Sequence, residues 1–421
     1  MNVRRSAATL AASAVLCVGA APAALADTAA PSPAPAVPSG LFGKKDPTYD
    51  GVWRQSFALL GQHAAGVEPA GKAIDWLTGQ QCANGSFPSF RADTSKACDA
   101  SAFIDSNATA AAVQALAALG GHDETVKKAV DWLKSAQNAD GGWSNNPGGA
   151  MDSGTDAIST GIVISALAAA GEKPAEVKSK TGKSAYEGLL AFQLGCSAEP
   201  AADRGAFAFQ PTDGKLLANA HATSAAALAG LGKGEAVAPA ASDTPATALA
   251  CPATAGDPAA AAQGAAGYLA EALKKDGHLT AATPGSDQPT PDIGNTAEAV
   301  IALAAAGHKQ SAAGALEWLK ANSAEWSKDN PAGLGTLVLA AHATGTDPKA
   351  FGGTDLVAAL NETGPAPERA TGAQEKDSGK KSSDKSEGSG SKNVWWMIGA
   401  GAAAGMGIGI VLSGRRKKNQ L

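Results

Sequence analysis

The sequence predicts an all-α protein of tandem helix–loop–helix units, and three observations predict it. One phrase occurs twice: residues 72–87 read KAIDWLTGQQCANGSF and residues 128–143 read KAVDWLKSAQNADGGW. Each copy precedes a loop and an Ala-rich stretch ending in Gly, Ala108–Gly120 after the first and Ala157–Gly171 after the second. No alternating strand pattern of any length interrupts these segments. A repeat at a fixed period decides architecture before any single residue does. Such a unit cannot bury its apolar face alone, so several must stack or close into a ring.

The ends of the chain are read separately from the fold. Met1–Ala26 carries Arg4 and Arg5, an apolar run, and Ala24-Leu25-Ala26 before Asp27, the pattern of a secretory signal peptide. Residues 27–40 are an Ala/Pro/Ser-rich linker. Residues 41–364 form the folded domain, long enough for one large core. Residues 365–392, rich in Lys, Ser, Gly and Glu, read as a disordered stalk. Val394–Ser413 is a 20-residue stretch without a charge, preceding Arg415, Arg416, Lys417 and Lys418. It predicts a single transmembrane helix over 393–414 with a basic cytoplasmic tail at 415–421 and the domain outside the cell. Leu360-Asn361-Glu362-Thr363-Gly364 is similar to a sortase signal, with Asn where Pro is expected.

Charge and cysteine content narrow the function further. Without the six basic residues at the two ends, 28 Lys+Arg face 39 Asp+Glu, a balance of −11, which excludes nucleic acid as a natural partner. Cys17 falls in the signal, leaving Cys82, Cys98, Cys196 and Cys251. An even number in an exported chain points to disulfides with three pairings open. The local pairing, Cys82 with Cys98 and Cys196 with Cys251, pins two loops. No C-x-x-C spacing supports a metal site.

Later units are more degenerate. The third starts near Ser184, with Leu189 and Gln193 in the repeat positions and its second helix at Asn219–Gly232. The fourth starts at Ala265 and the fifth at Ala315, with second helices at 292–307 and up to Ala343. Residues 50–61 read as a lone front helix that closes the ring beside the last repeat.

The repeated phrase resembles the QW motif of the squalene-cyclase and prenyltransferase superfamily. In residues 128–143 the ordered match runs through a basic residue, Ala, an aromatic, Leu, Gln and Gly-Gly-Trp. The resemblance implies an α/α toroid of repeated helical hairpins, with inner helices around a central cavity and outer helices behind. It also implies a structural role for Gln81, Phe87, Gln137 and Trp143, tying consecutive outer helices together.

Each second helix opens with a polar residue and a Thr four positions on: Asp105/Thr109, Asp156/Thr160, Asn219/Thr223 and Asp292/Thr296; the fifth keeps Thr336. Asp and Asn are favoured N-caps. On inner helices the same pairs would ring the cavity mouth and offer a polar ligand hydroxyls and carboxylates. Enzyme chemistry is harder to place. Cation cyclisation needs a DxDD acid and aromatic faces, yet no DxDD occurs and the five second helices hold no Phe, Tyr or Trp. Zinc-dependent prenyl transfer needs a Cys/His/Asp set, and the six His are scattered. GCGEQ, HExxH and a nucleophile elbow are absent too.

These readings favour a non-enzymatic, membrane-anchored, ligand-binding surface protein with no catalytic residues. Resemblance to the cobalamin-carrier branch of the same superfamily names a corrinoid as candidate cargo, with no resident cofactor. That branch holds its ligand against a second domain not found here, so this chain would need a partner protein or bind a different ligand. The alternatives are a cyclase- or prenyltransferase-like enzyme using Asp156 or Asp292, and a surface adhesin or scaffold.

Overall fold

The computed structural model describes residues 37–99, 103–251, 256–281 and 288–368. Among them are thirteen α-helices: α1 Gly51–Ala64, α2 Gly71–Gly79, α3 Ser106–Leu119, α4 Asp123–Ser135, α5 Ala157–Ala169, α6 Ala185–Leu190, α7 Ala220–Gly230, α8 Pro258–Lys274, α9 Ile293–Ala305, α10 Lys309–Asn322, α11 Ala324–Ser327, α12 Pro331–Thr344 and α13 Leu356–Glu362. Six of them, α1, α3, α5, α7, α9 and α12, pack each against the next, and α12 returns to α1. The ring is therefore closed. Behind the inner helices stand α2, α4, α6, α8, α10 and α13, each against an inner neighbour. This is an α/α toroid, with residues 50–61 supplying the closing helix as the sequence predicts.

Composition explains why the inner helices can meet. Their buried faces are mostly alanine, with leucine, valine and isoleucine between, and small side chains let helix axes approach. The ring-closing contact goes further. A Cβ on Gly61 would lie 2.8 Å from the Cα of Gly335, and one on Gly335 would collide with the Phe57 carbonyl oxygen. At this crossing α1 and α12 touch backbone to backbone.

Outer helices are fixed by the repeated phrase. Gln81 Nε2 donates to the Thr125 carbonyl of α4 at 2.9 Å, and Gln193 Nε2 to the Ala261 carbonyl of α8 at 3.3 Å. Trp143 is fully buried, and its Nε1 donates to the Leu133 carbonyl at 2.7 Å. Gln137 instead donates to Gly141 in its own loop. Phe87 is buried without a polar role. The motif glycines carry the remaining contact. Gly85, Gly141 and Gly205 have φ of 95°, 98° and 89°, and a Cβ on any of them would strike the backbone carbonyl of Lys128, Ser184 or Gly264. Only glycine combines that conformation with that proximity.

Two departures from the sequence reading appear. A short antiparallel ribbon, β1 Leu279–Ala281 with β2 Thr290–Asp292, leads into α9; three residues a side carry too little alternation to register in the sequence. The predicted transmembrane helix is corrected: no helix among the described residues is long and apolar enough to cross a membrane. The segment 393–414 lies outside the described residues, as do the signal segment 1–26 and most of the stalk and linker. The sortase-like segment belongs to the fold, since Leu360 is fully buried in α13 and Asn361 accepts from Gln62 Nε2 of α1 at 2.6 Å.

Of the three disulfide pairings, the local one occurs: Cys82–Cys98 and Cys196–Cys251. Both fit a chain that matures outside the reducing cytosol, and each closes a loop at a gain of about 3–4 kcal/mol.

Gly335→Ala tests the ring closure by its sign. Helix propensity alone raises stability by about 1 kcal/mol. We expect the melting temperature to fall, because the added methyl meets the Phe57 carbonyl; a rise measured by thermal unfolding would refute backbone contact at this crossing.

Candidate functional site

The N-terminal ends of the inner helices gather on one face. Val52 N donates to the Ser89 carbonyl before α3, Ser106 N to the Asn145 carbonyl before α5, and Ala157 N to the Phe209 carbonyl before α7. Trp326 packs beside both Gly294 and Gly333, at the starts of α9 and α12. The repeated polar pairs therefore do meet at one end, and their side chains are already employed there.

Asp105, Asp156, Asn219 and Asp292 are N-caps, accepting from Asn107 and Ala108, Ser159, Ala222 and Asn295 respectively. The fifth unit also has a polar cap, Asn330, which accepts from Gly333 N. The threonines are latches. Thr109, Thr160, Thr223 and Thr296 are completely buried, and each Oγ1 accepts from a backbone N–H in the preceding loop, those of Phe87, Trp143, Phe207 and Leu279, all at 2.9 Å. Thr336 donates to the Ala332 carbonyl of its own helix. The expectation of a threonine-lined rim is thus corrected: these hydroxyls point between helix and loop, where a buried N–H demands an acceptor. Burial raises the carboxyls of Asp105 and Asp156 above the usual range, and the capping hydrogen bonds oppose it.

A different group of residues faces the lumen. They are Trp53 and Phe57 of α1, His221, Ser224 and Leu228 of α7, Ile162 of α5 and Glu298 of α9, with Glu235 from the loop after α7. Trp53 and Phe57 stack at a tilt, ring centres 4.6 Å apart. His221 Nε2 lies 3.3 Å from Glu298 Oε2, and their side chains are 35% and 23% exposed, so solvent reaches them from the mouth. Glu235 is only 9% exposed. It sits in the loop that follows α7, and that loop crosses beneath the ring. Gln114 Oε1 of α3 accepts from Glu235 N at 2.8 Å, and Lys233 Nζ donates to the Ala305 carbonyl of α9 at 2.7 Å. The floor is thus tied to opposite walls.

Among the described residues Glu235 has no cation beside it, and its Oε2 has no hydrogen-bond partner. Burial, reinforced by the nearby Glu298 charge, pushes its carboxyl up to about 8. Glu298 is also raised by burial; His221 opposes that rise and Asp292 adds to it. Like-charged acids in one low-dielectric site resist ionising together. Near neutral pH Glu235 holds its proton.

The space left between these groups is small, about 10 Å³, room for one water. A corrinoid macrocycle has no place in this lumen. A larger hollow, about 890 Å³, is a groove on the outer wall between α8 and α10 beside the 246–248 segment. Mostly alanine and glycine line it, with Arg204, Glu271 and Lys274 at its edges. Size favours the groove, but converging acid–base groups favour the funnel, and chemistry is the better guide. Among the described residues no three His, Cys, Asp or Glu side chains gather as a metal site.

The sequence reading missed His221, Glu235, Glu298, Trp53 and Phe57. A signal existed for four of them. His221 and Glu298 interrupt otherwise apolar inner helices, and Trp53 recurs at Phe57 one turn on. The absence of aromatic inner helices is corrected accordingly, since the front helix α1 is an inner helix. Glu235 sits in an irregular loop with no local signal.

No known protein family matches the chain, and no curated protein matches it. Solved structures that it is similar to include a protein from Actinoplanes (15% identity over 74% of this chain and 96% of that one, TM-score 0.46). A sugar epimerase from a ruminal bacterium follows at 14% identity over 73% and 93%, TM-score 0.45. The type II terpene cyclase MstE from Scytonema shows 16% identity over 68% and 70%, TM-score 0.39. At these levels none of them bears on what this chain binds or does.

Two measurements check the site. Thr160→Val keeps the shape of the latch and strands the Trp143 N–H, so chemical denaturation should show a loss of about 1–3 kcal/mol. An unchanged stability would remove the latch role. For Glu235, a folded value near 8 lies above the unfolded model value of 4.5. Its stabilising protonation is complete below pH 4.5 and is lost as pH rises through 8. Glu235→Gln should therefore flatten the decline in melting temperature between pH 5 and 9. It should match the parent near pH 5 and exceed it near pH 9, by up to about 4 kcal/mol. Parallel curves would show that Glu235 is ionised throughout.

Proposed function

We propose that this toroid is an extracytoplasmic acid–base enzyme acting on a small polar substrate at the mouth of the funnel. Glu235 is the proton donor, and Glu298, paired with His221, is the acceptor. One observation carries the reading: a buried carboxylic acid that keeps its proton near neutral pH lies beside a second carboxyl that solvent can reach and that His221 pairs with. Two adjoining carboxyls, one deeply buried and one open to solvent beside a histidine, offer the donor and the acceptor that general acid–base catalysis requires. The reaction class that suits them is displacement at a C–O bond. Glu235 would protonate the departing oxygen while Glu298 takes the proton of the incoming nucleophile, so the pair ends with its proton moved from one carboxyl to the other and solvent restores it. Trp53 and Phe57 would hold the apolar side of the substrate.

This differs from cyclase chemistry at Asp156 or Asp292. Both of those acids cap helices, and a hollow of about 10 Å³ leaves no room for a folded isoprenoid chain.

A second reading, binding without turnover, is favoured by the surface around the mouth. Tyr49, Met151, Phe209 and Leu217, the large apolar residues most exposed among those described, all lie in loops that enter α1, α5 and α7. A cover for this face, a partner protein or a larger ligand, would bury them.

The deciding experiment assays the full chain against methyl esters and methyl glycosides, whose alkoxide leaving group needs a proton. We expect Glu235→Gln to lower kcat by about 10²–10⁴ and to abolish the alkaline limb of the pH profile. Turnover unaffected by both Glu235→Gln and Glu298→Gln would end the catalytic reading, and no turnover at all would leave the binding one.

A further inference from the structure

The interior of the funnel also indicates what it accepts. Its lining holds two glutamates, one histidine and one serine, and no lysine or arginine. Glu298 therefore lacks a permanent cation; its ion-pair partner is His221, which bears charge only when protonated. Deeper in, Glu235 lines the same hollow and is more than nine-tenths buried, and among the described residues its Oε2 has no hydrogen-bond partner. A buried acceptor left unmet is costly, so something with N–H or O–H groups belongs beside it. Above the hollow stand the faces of Trp53 and Phe57.

Three constraints follow from chemistry and size. A site with two acids and no fixed cation draws positive charge. Aromatic faces attract cations and aliphatic stems alike. The space between Glu235 and Glu298, about 10 Å³, admits a group no larger than water. A guanidinium or quaternary ammonium exceeds it. A primary ammonium is close to water in size and has three N–H donors to share.

We infer that the ligand of this funnel carries a primary amine, whose ammonium group occupies the hollow between Glu298 and Glu235 while its aliphatic stem lies against Trp53 and Phe57. This rests on the funnel being the site through which the protein acts, and it names the class of molecule taken there. Glu298 supplies the counter-charge and Glu235 Oε2 an acceptor, with His221 and, further out, Asp292 as the other charged or titratable neighbours of Glu298.

Calorimetry on the full chain with n-butylamine, 1-butanol and tetramethylammonium at pH 7 tests the inference. We expect saturable one-to-one binding of butylamine alone. Glu298→Gln should weaken it by at least about tenfold, and Trp53→Ala should weaken it with the fold retained by circular dichroism. Equal binding of butanol would reduce the hollow to an apolar niche, and equal binding of tetramethylammonium would reduce it to a diffuse acidic field; either result overturns the inference. So does failure of butylamine to bind. In that case a surviving effect of Glu235→Gln on turnover keeps the acid–base reading intact, so the two failures are distinguishable.

Discussion

Everything in this molecule depends on how closely six helices can pack around one axis. Large residues would hold neighbouring helices apart and open the ring, as a stacked solenoid does. Alanine walls and the Gly61–Gly335 crossing bring the last inner helix onto the first. Closure has a cost in volume: the same small spacing that seals the ring leaves almost no lumen. What remains is a funnel at the N-terminal end, floored by the loop after α7.

That geometry explains the electrostatics. Glu235 is protonated because the floor buries it with no cation within reach, and because Glu298 lies in the same low-dielectric well. Glu298 keeps a route to water and a histidine beside it. A wider ring would hydrate both acids and return them to ordinary carboxylate behaviour. The proton-holding pair is therefore a consequence of tight helix packing as much as of residue identity.

Much of the fold was legible because repeats announce themselves. The phrase around Trp132 and its copy around Trp76 located two outer helices, and the Asp/Thr spacing located the starts of the inner ones. The local disulfide pairing was open among three. The site was far less legible. Asp105, Asp156, Asn219 and Asp292 attract notice because they recur, and recurrence marks what every unit needs, a cap and a latch. Function in a repeat protein falls on what does not recur. His221 and Glu298 each occur once, inside helices otherwise given to alanine, and Glu235 occurs in a loop that no other unit possesses in that form. In an unaligned sequence such singletons look like noise until the ring brings them within a few ångströms.

The floor loop shows how a symmetric scaffold acquires an asymmetric site. The chain leaving α7 does not pass straight to an outer helix. Gln114 and Ala305 draw it under the ring from opposite sides, and the segment that continues to α8 is held by the Cys196–Cys251 bridge. A single buried carboxyl is costly, yet it persists here because the surrounding ring is stable without it. Closed packing supplies the stability, and one irregular connection spends part of it on placing an acid where water and a second acid can meet it.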